Sequence, residues 1–154
     1  MKICFICSAN ICRSYVSQTL FNYYAPLNNV KASASSAGVF AQSYYAVPQK
    51  IKDYLQSKGV QAEPHKPRFV LRQDLEFSDL ILAMETLHYE ILTDKYSKFG
   101  DKIYLFNDYI FGKEKDVEDP ISKSGSKFIK SMDFLDKAVK VLIEKIREKM
   151  QLGG

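Results

Sequence analysis

Residues 2–20 read KICFICSANICRSYVSQTL, and the character of the chain changes at Cys7. Lys2 to Ile6 is a short run of isoleucine, cysteine and phenylalanine, the composition of a buried strand. The residues after it are small and polar. Val16, Leu20 and Tyr23 then recur on one helical face, with Ser14 suited to the N-cap and Pro26 to the stop. A strand feeding a loop and then a helix is the first half of a parallel crossover.

The same alternation continues to the C-terminus. Val30, Ala32 and Ala34 alternate with polar residues into Gly38, which reads as a second strand and turn. Pro48 opens a helix with Ile51, Tyr54 and Leu55, closed by Gly59. A polar connection with Pro64 and Pro67 leads to a short amphipathic piece around Leu71 to Phe77. Asp79 to Met84 is a third, buried strand, Thr86 to Tyr96 a helix ended by Gly100, and Lys102 to Phe106 a fourth strand. After an acidic, glycine-containing loop, a helix from about Lys127 to Met150 aligns Phe128, Met132, Leu135, Val139, Leu142 and Ile146. The pattern predicts one α/β domain over residues 1–154, a four-stranded parallel sheet with helices on both faces.

Composition removes several classes of function. Twenty-two basic against 18 acidic residues give a net charge of +4, too mild for a dedicated nucleic-acid binder, so no nucleic-acid partner is expected. Leu80 to Met84, the longest apolar stretch, is far too short to span a bilayer, and no membrane partner is expected. Neither a signal peptide nor a lipidation signal is read at the ends, so the expected compartment is the cytosol.

Three cysteines, Cys4, Cys7 and Cys12, fall within the first twelve residues, and none follows. An odd, clustered set cannot build a disulfide framework. Cys4 and Cys7 form a C-x-x-C, but along a strand they have opposite parity and face opposite sides of the sheet. His65 and His88 add no adjacent ligand pair, so no metal site is expected.

Ligands of open parallel sheets bind beyond the carboxyl ends of strands. The first such loop is Cys7-Ser8-Ala9-Asn10-Ile11-Cys12-Arg13-Ser14, which has neither a dinucleotide nor a Walker pattern. Five residues between Cys7 and Arg13 can curl so that backbone N–H groups converge on an anion. The following helix N-terminus adds positive charge, and Arg13 adds a planar fork for two phosphate oxygens. All three favour the thiolate at Cys7, a nucleophile placed for phosphoryl transfer, and Ser14 can hydrogen-bond the sulfur.

This loop resembles the signature of the low-molecular-weight protein tyrosine phosphatases. Ser36-Ala37-Gly38, His65-x-x-Arg68, Asp79 to Met84 and Val117-Glu118-Asp119-Pro120 match in order, so the likeness spans nearly the whole chain. It implies a flavodoxin-like fold and hydrolysis of phosphate monoesters through a cysteinyl-phosphate. Cys7 is then the nucleophile, Arg13 and the amides of Ser8 to Ser14 bind phosphate, and Asp119 is the general acid and base. Glu118 is the fallback acid. Pro120 holds Asp119 in extended backbone. Asn10 would brace the loop with Ser14, Ser36 and His65, and Cys12 would be placed to trap Cys7 in a reversible disulfide. No metal or organic cofactor is called for. The implied substrate is a phosphotyrosine protein or a small aryl phosphate, with inorganic phosphate as product.

The chain departs from the family pattern at its rim. Ala9 stands where glycine is frequent, costing ~1 kcal/mol if that position has positive φ. Ser8 replaces an apolar residue, Tyr15 a proline, and Gln42, Ile121 and Ser122 occupy places of aromatic residues; Phe40, Tyr44 or Tyr45 are candidate replacement walls. Competing readings are a phosphoarginine phosphatase, against which bulky Ile11 argues, and a phosphate-binding module that no longer turns over. A cysteine-relay arsenate reductase needs downstream cysteines that the chain lacks.

Overall fold

The computed structural model describes residues 1–62 and 64–153. Its spine is β1 (Lys2–Cys7), flanked by β2 (Ser33–Gly38) and β3 (Leu80–Ala83), with β4 (Ile103–Leu105) beyond β3. The order is β2-β1-β3-β4 and every pair is parallel. Among the described residues six α-helices accompany the sheet: α1 (Arg13–Leu27), α2 (Gln49–Ser57), α3 (Arg72–Phe77), α4 (Thr86–Lys95), α5 (Phe106–Phe111) and α6 (Gly125–Gly153).

The pleat of β1 sorts its side chains into two cores. Ile3, Phe5 and Cys7 pack among buried residues of α1, α2, α5 and α6, where Phe5 meets Phe21 and Phe106 at centroid distances of 6.2 and 6.1 Å. Cys4 and Ile6 pack on the other face with Leu75 of α3 and Leu92 of α4. Cys4 and Cys7 therefore do lie on opposite sides of the sheet. A strand covered on both faces has no polar side to keep, which explains its unbroken apolar run.

Several boundaries differ from the sequence reading. Helix α1 starts at Arg13, so Ser14 lies in its first turn rather than at the cap, which Cys12 occupies. Pro26 sits within the last turn, and the helix ends one residue later at Leu27. Strand β2 begins at Ser33, because Val30 N–H closes the end of α1 on Ala25 O (2.9 Å). Strand β4 is three residues long, since Lys102 ends a 3₁₀ turn and Phe106 opens α5, a helix too short to show a period. Helix α6 starts at Gly125 and runs 29 residues.

Strand order reverses beside β1, whose neighbours β2 and β3 lead to opposite edges, so the loops after β1 and β3 open a crevice between them. Gly38, opposite Cys7 in the register, allows the closest approach there. A Cβ on Gly38 would stand 2.4 Å from Ser8 O and 3.1 Å from Asn10 N. Replacing Gly38 by Ala is thus expected to push the loop after β1 outward and lower stability by about 1–3 kcal/mol. Urea denaturation would measure the loss; a neutral substitution would contradict this packing.

Candidate active site

The loop from Ser8 to Cys12 is held open by Asn10, which is fully buried with φ +59°. Left-handed backbone suits asparagine better than most L-residues. The strained position is Asn10 and not Ala9, so the cost foreseen for alanine does not arise. Each polar group of the Asn10 side chain is engaged. Its Nδ2 donates to Ser14 Oγ (2.8 Å) and Ser36 Oγ (2.9 Å), and its Oδ1 accepts from Arg68 N–H (3.1 Å). His65 Nε2 donates to the Asn10 carbonyl (2.8 Å), and Ser36 Oγ donates to Gln18 Oε1.

That direction of donation reaches Cys7. Ser14 Oγ receives a hydrogen from Asn10 and stands 2.9 Å from Cys7 Sγ, so when Cys7 is a thiolate the Ser14 hydroxyl is the donor to sulfur. The structure thus brings Cys7, Asn10, Ser14, Ser36 and His65 into one network. Burial lowers the pKa of His65, with the Asn10 carbonyl pulling the other way and Arg68 adding to the lowering.

Arg13 is buried (3% exposed) and its Nη1 donates to Glu85 Oε2 (2.6 Å) and Val117 O (2.8 Å). These two bonds occupy the Nη1 hydrogens and leave the Nε/Nη2 edge, the planar fork that matches two oxygens of a phosphate. Asp119 Oδ2 stands 3.8 Å from Nη2, with the Asp119 side chain 49% exposed. Its other oxygen accepts Ile121 N–H (3.1 Å), and its backbone is extended (φ −78°, ψ 115°). The loop is tied down on both sides, by Val117 N–H on Met84 O (2.8 Å) and by Lys50 Nζ on Ile121 O (2.7 Å). Glu118 points elsewhere: it pairs with Lys123, which lowers its pKa.

Three contributors escaped the sequence reading. His88, fully buried at the start of α4, accepts Glu85 N–H at Nδ1 (3.1 Å) and therefore donates from Nε2 to Ser8 Oγ (2.8 Å). Glu85 holds Arg13, as described. Tyr15, one of the rim departures, stacks on His65 at 4.3 Å and 29°. Glu85 and His88 follow directly after β3, so their position beside the first loop was readable only from the strand order.

The remaining candidates sit as follows. Cys12 is buried and free; burial raises its pKa, with Asp119 next, which disfavours its thiolate. Cys4 is pushed up to about 12, mainly by burial. Ile11 is partly buried. Ile121 packs partly against the core, whereas Gln42 and Ser122 are exposed. Phe40 is 50% exposed, and its backbone N–H bonds Ser8 O (2.9 Å), which sets this residue beside the loop. Tyr44 and Tyr45 meet edge to face at 5.1 Å. Among the described residues no group of three or more His, Cys, Asp or Glu side chains converges as a metal site.

Two consequences are measurable. Asn10→Ala leaves Ser14 and Ser36 without a donor and puts alanine in left-handed backbone, at an expected cost of about 2–4 kcal/mol by urea denaturation. Burial first and the Arg13 charge second push His88 down to about 4 from the ordinary 6.5. Between those limits the unfolded chain binds more protons, so the His88 contribution is complete above 6.5 and is lost as pH falls toward 4. The acid loss of stability should be shallower in His88→Asn than in the wild type.

Comparison with known proteins meets this geometry from another side. The profile of the low molecular weight phosphotyrosine protein phosphatase family matches residues 2–152. A protein-arginine-phosphatase of Bacillus subtilis is 28% identical over 148 residues, 96% of this chain and 98% of that one. The low molecular weight protein-tyrosine-phosphatase Etp of Escherichia coli is 30% identical over 137 residues, 89% and 88% of the two chains. Among solved structures, the YwlE arginine phosphatase with a phosphorylated active site serine superposes with TM-score 0.92 at 26% identity, covering 99% of both chains. A low molecular weight protein tyrosine phosphatase from T. tengcongensis gives 0.88 at 31% identity, covering 94% of this chain and 99% of that one. A parallel four-stranded sheet, a loop wired through Asn10 and a match from end to end make this chain a member of the low molecular weight phosphotyrosine protein phosphatase family.

Proposed function

We propose that this phosphatase hydrolyses protein phosphotyrosine through a cysteinyl-phosphate, with Cys7 as nucleophile and Asp119 as acid and base. The observation that carries the reading is the Ser14 hydroxyl held against Cys7 Sγ at 2.9 Å. Cys7 Sγ attacks phosphorus and the bridging P–O bond breaks. Arg13 and the loop amides hold the non-bridging oxygens, and Asp119 delivers its proton to the leaving phenolate. Water then attacks the thiophosphate, giving a proton to Asp119 as the S–P bond breaks. The Ser14 hydroxyl stabilises the departing sulfur, and inorganic phosphate leaves.

Half-exposed Phe40 beside the loop and bulky Ile11 within it suit a phenyl ring. A second reading, phosphoarginine, is favoured by the relatives named protein-arginine-phosphatase. The three free thiols fit a reducing compartment, in our reading the cytosol.

The test is hydrolysis of an aryl phosphate and of matched phosphotyrosine and phosphoarginine peptides. Cys7→Ser should abolish turnover, and Asp119→Ala should slow it about 10²- to 10⁴-fold. The phosphotyrosine peptide should have the higher kcat/KM. Faster phosphoarginine hydrolysis would transfer the same mechanism to a P–N bond and overturn the tyrosine assignment.

A further inference from the structure

Behind the loop that carries Asp119 lies an open cavity of about 510 Å³ that the chemistry above does not use. Lys113, Lys115, Lys123, Lys127, Lys130 and Lys137 line it against two carboxylates, Asp116 and Glu118, an excess of four positive charges. The whole chain carries a net +4, so this cavity alone holds as large an excess as the entire molecule. The carboxylates are already engaged. Asp116 accepts from Thr86 N–H and Oγ1 (2.8 and 2.9 Å), and Glu118 pairs with Lys123. Among the described residues, the other five lysines take part in no ion pair.

The cavity is more than a basic patch. Phe111 of α5 and Phe134 of α6 form an apolar wall, their rings 5.8 Å apart. Asn107, 5% exposed, also lines the cavity; its Nδ2 donates to Lys115 O (2.8 Å), while its buried Oδ1 receives no donor among the described residues. Lys127, Lys130 and Lys137 fall on one face of α6, and at 1.5 Å per residue the row is about 15 Å long. That length suits about four or five residues of extended chain. An acidic peptide supplies carboxylates for the lysines, side chains for the phenylalanines and N–H donors for Asn107. An inorganic polyphosphate supplies only anionic oxygens for the lysines.

We propose that this cavity docks an acidic, extended segment of the substrate protein next to the phosphorylated residue. The proposal rests on the phosphatase reading of the Cys7 site, and it deepens that reading by naming a class of substrate. Position supports it: Val117 and Glu118 line the cavity and immediately precede Asp119, so one chain can reach both.

Two measurements test it. The first is fluorescence anisotropy with an unphosphorylated Asp/Glu-rich peptide, its Asn/Gln counterpart and tripolyphosphate, on wild type and on Lys127→Glu/Lys130→Glu. The acidic peptide should bind, the neutral one should not, and raised salt or the double variant should weaken binding about five- to ten-fold. The second is kinetics on phosphopeptides with acidic or neutral flanks. Wild type should favour the acidic flank through a lower KM, and the double variant should lose that preference with aryl phosphate turnover unchanged. Equal affinity for acidic and neutral peptides would overturn the proposal. So would a preference that survives in the double variant, or tripolyphosphate binding without peptide binding. Acidic-peptide binding alongside a complete lack of hydrolysis would support the docking surface and sink the phosphatase reading instead.

Discussion

A single amide side chain, that of Asn10, decides how the loop between β1 and α1 is built. It is buried, lies in left-handed backbone, and joins the loop to α1, to β2 and to the connection before α3. A neutral amide can do this because it donates twice from one end and accepts at the other; a carboxylate would lose both donations. The consequence is electronic as well as mechanical. By donating to Ser14, Asn10 takes up one lone pair of that hydroxyl and holds it 2.9 Å from the sulfur, where it can donate to a thiolate. An anion at that sulfur gains a hydrogen bond that is formed before the reaction starts, with no reorganisation needed when charge develops.

The second constraint is the buried positive charge of Arg13. A guanidinium removed from water is costly unless it is paired, and here Glu85 and the Val117 carbonyl pair it through one nitrogen. The opposite edge makes no hydrogen bond among the described residues and faces Asp119 Oδ2 at 3.8 Å. Glu85 therefore orients Arg13 and offsets its desolvation, and it does so from the start of α4, the loop across the crevice from Cys7. His88 ties the same loop to Ser8. The two sides of the site are consequently one structure, held together across the point where the strand order reverses.

The layers of the fold were legible in the sequence because strands and long helices declare themselves by period. Phe5 and Ile6 read correctly as a doubly buried strand, and the face of α6 was visible residue by residue. Helix α5 was not: its six residues carry too little pattern to separate from a loop, whereas the equally short amphipathic piece that became α3 was read. Ser14 was misread as a cap, since a serine at the start of a helical pattern caps far more often than it serves a thiol. In the site, Cys7, Arg13 and Asn10 were readable from spacing and resemblance. Glu85 and His88 were not, because their meeting with Arg13 and Ser8 joins residues more than seventy positions apart. Tyr15 looked like a mere departure from a family proline. Its stacking on His65, fifty residues away in sequence, shows that the ring helps hold the histidine that braces the loop.

In the proposed mechanism the Ser14 hydroxyl donates to the Cys7 sulfur and eases its departure from phosphorus. Stopped-flow release of a chromogenic phenol by Ser14→Ala reads that step. Without that hydrogen bond the second step should become limiting, giving a stoichiometric burst of phenol and then slow turnover, with the phosphoryl group mapped to Cys7 after acid quench. Steady release at the wild-type rate with no burst, or a phosphoryl group found on any residue other than Cys7, would overturn this role for Ser14.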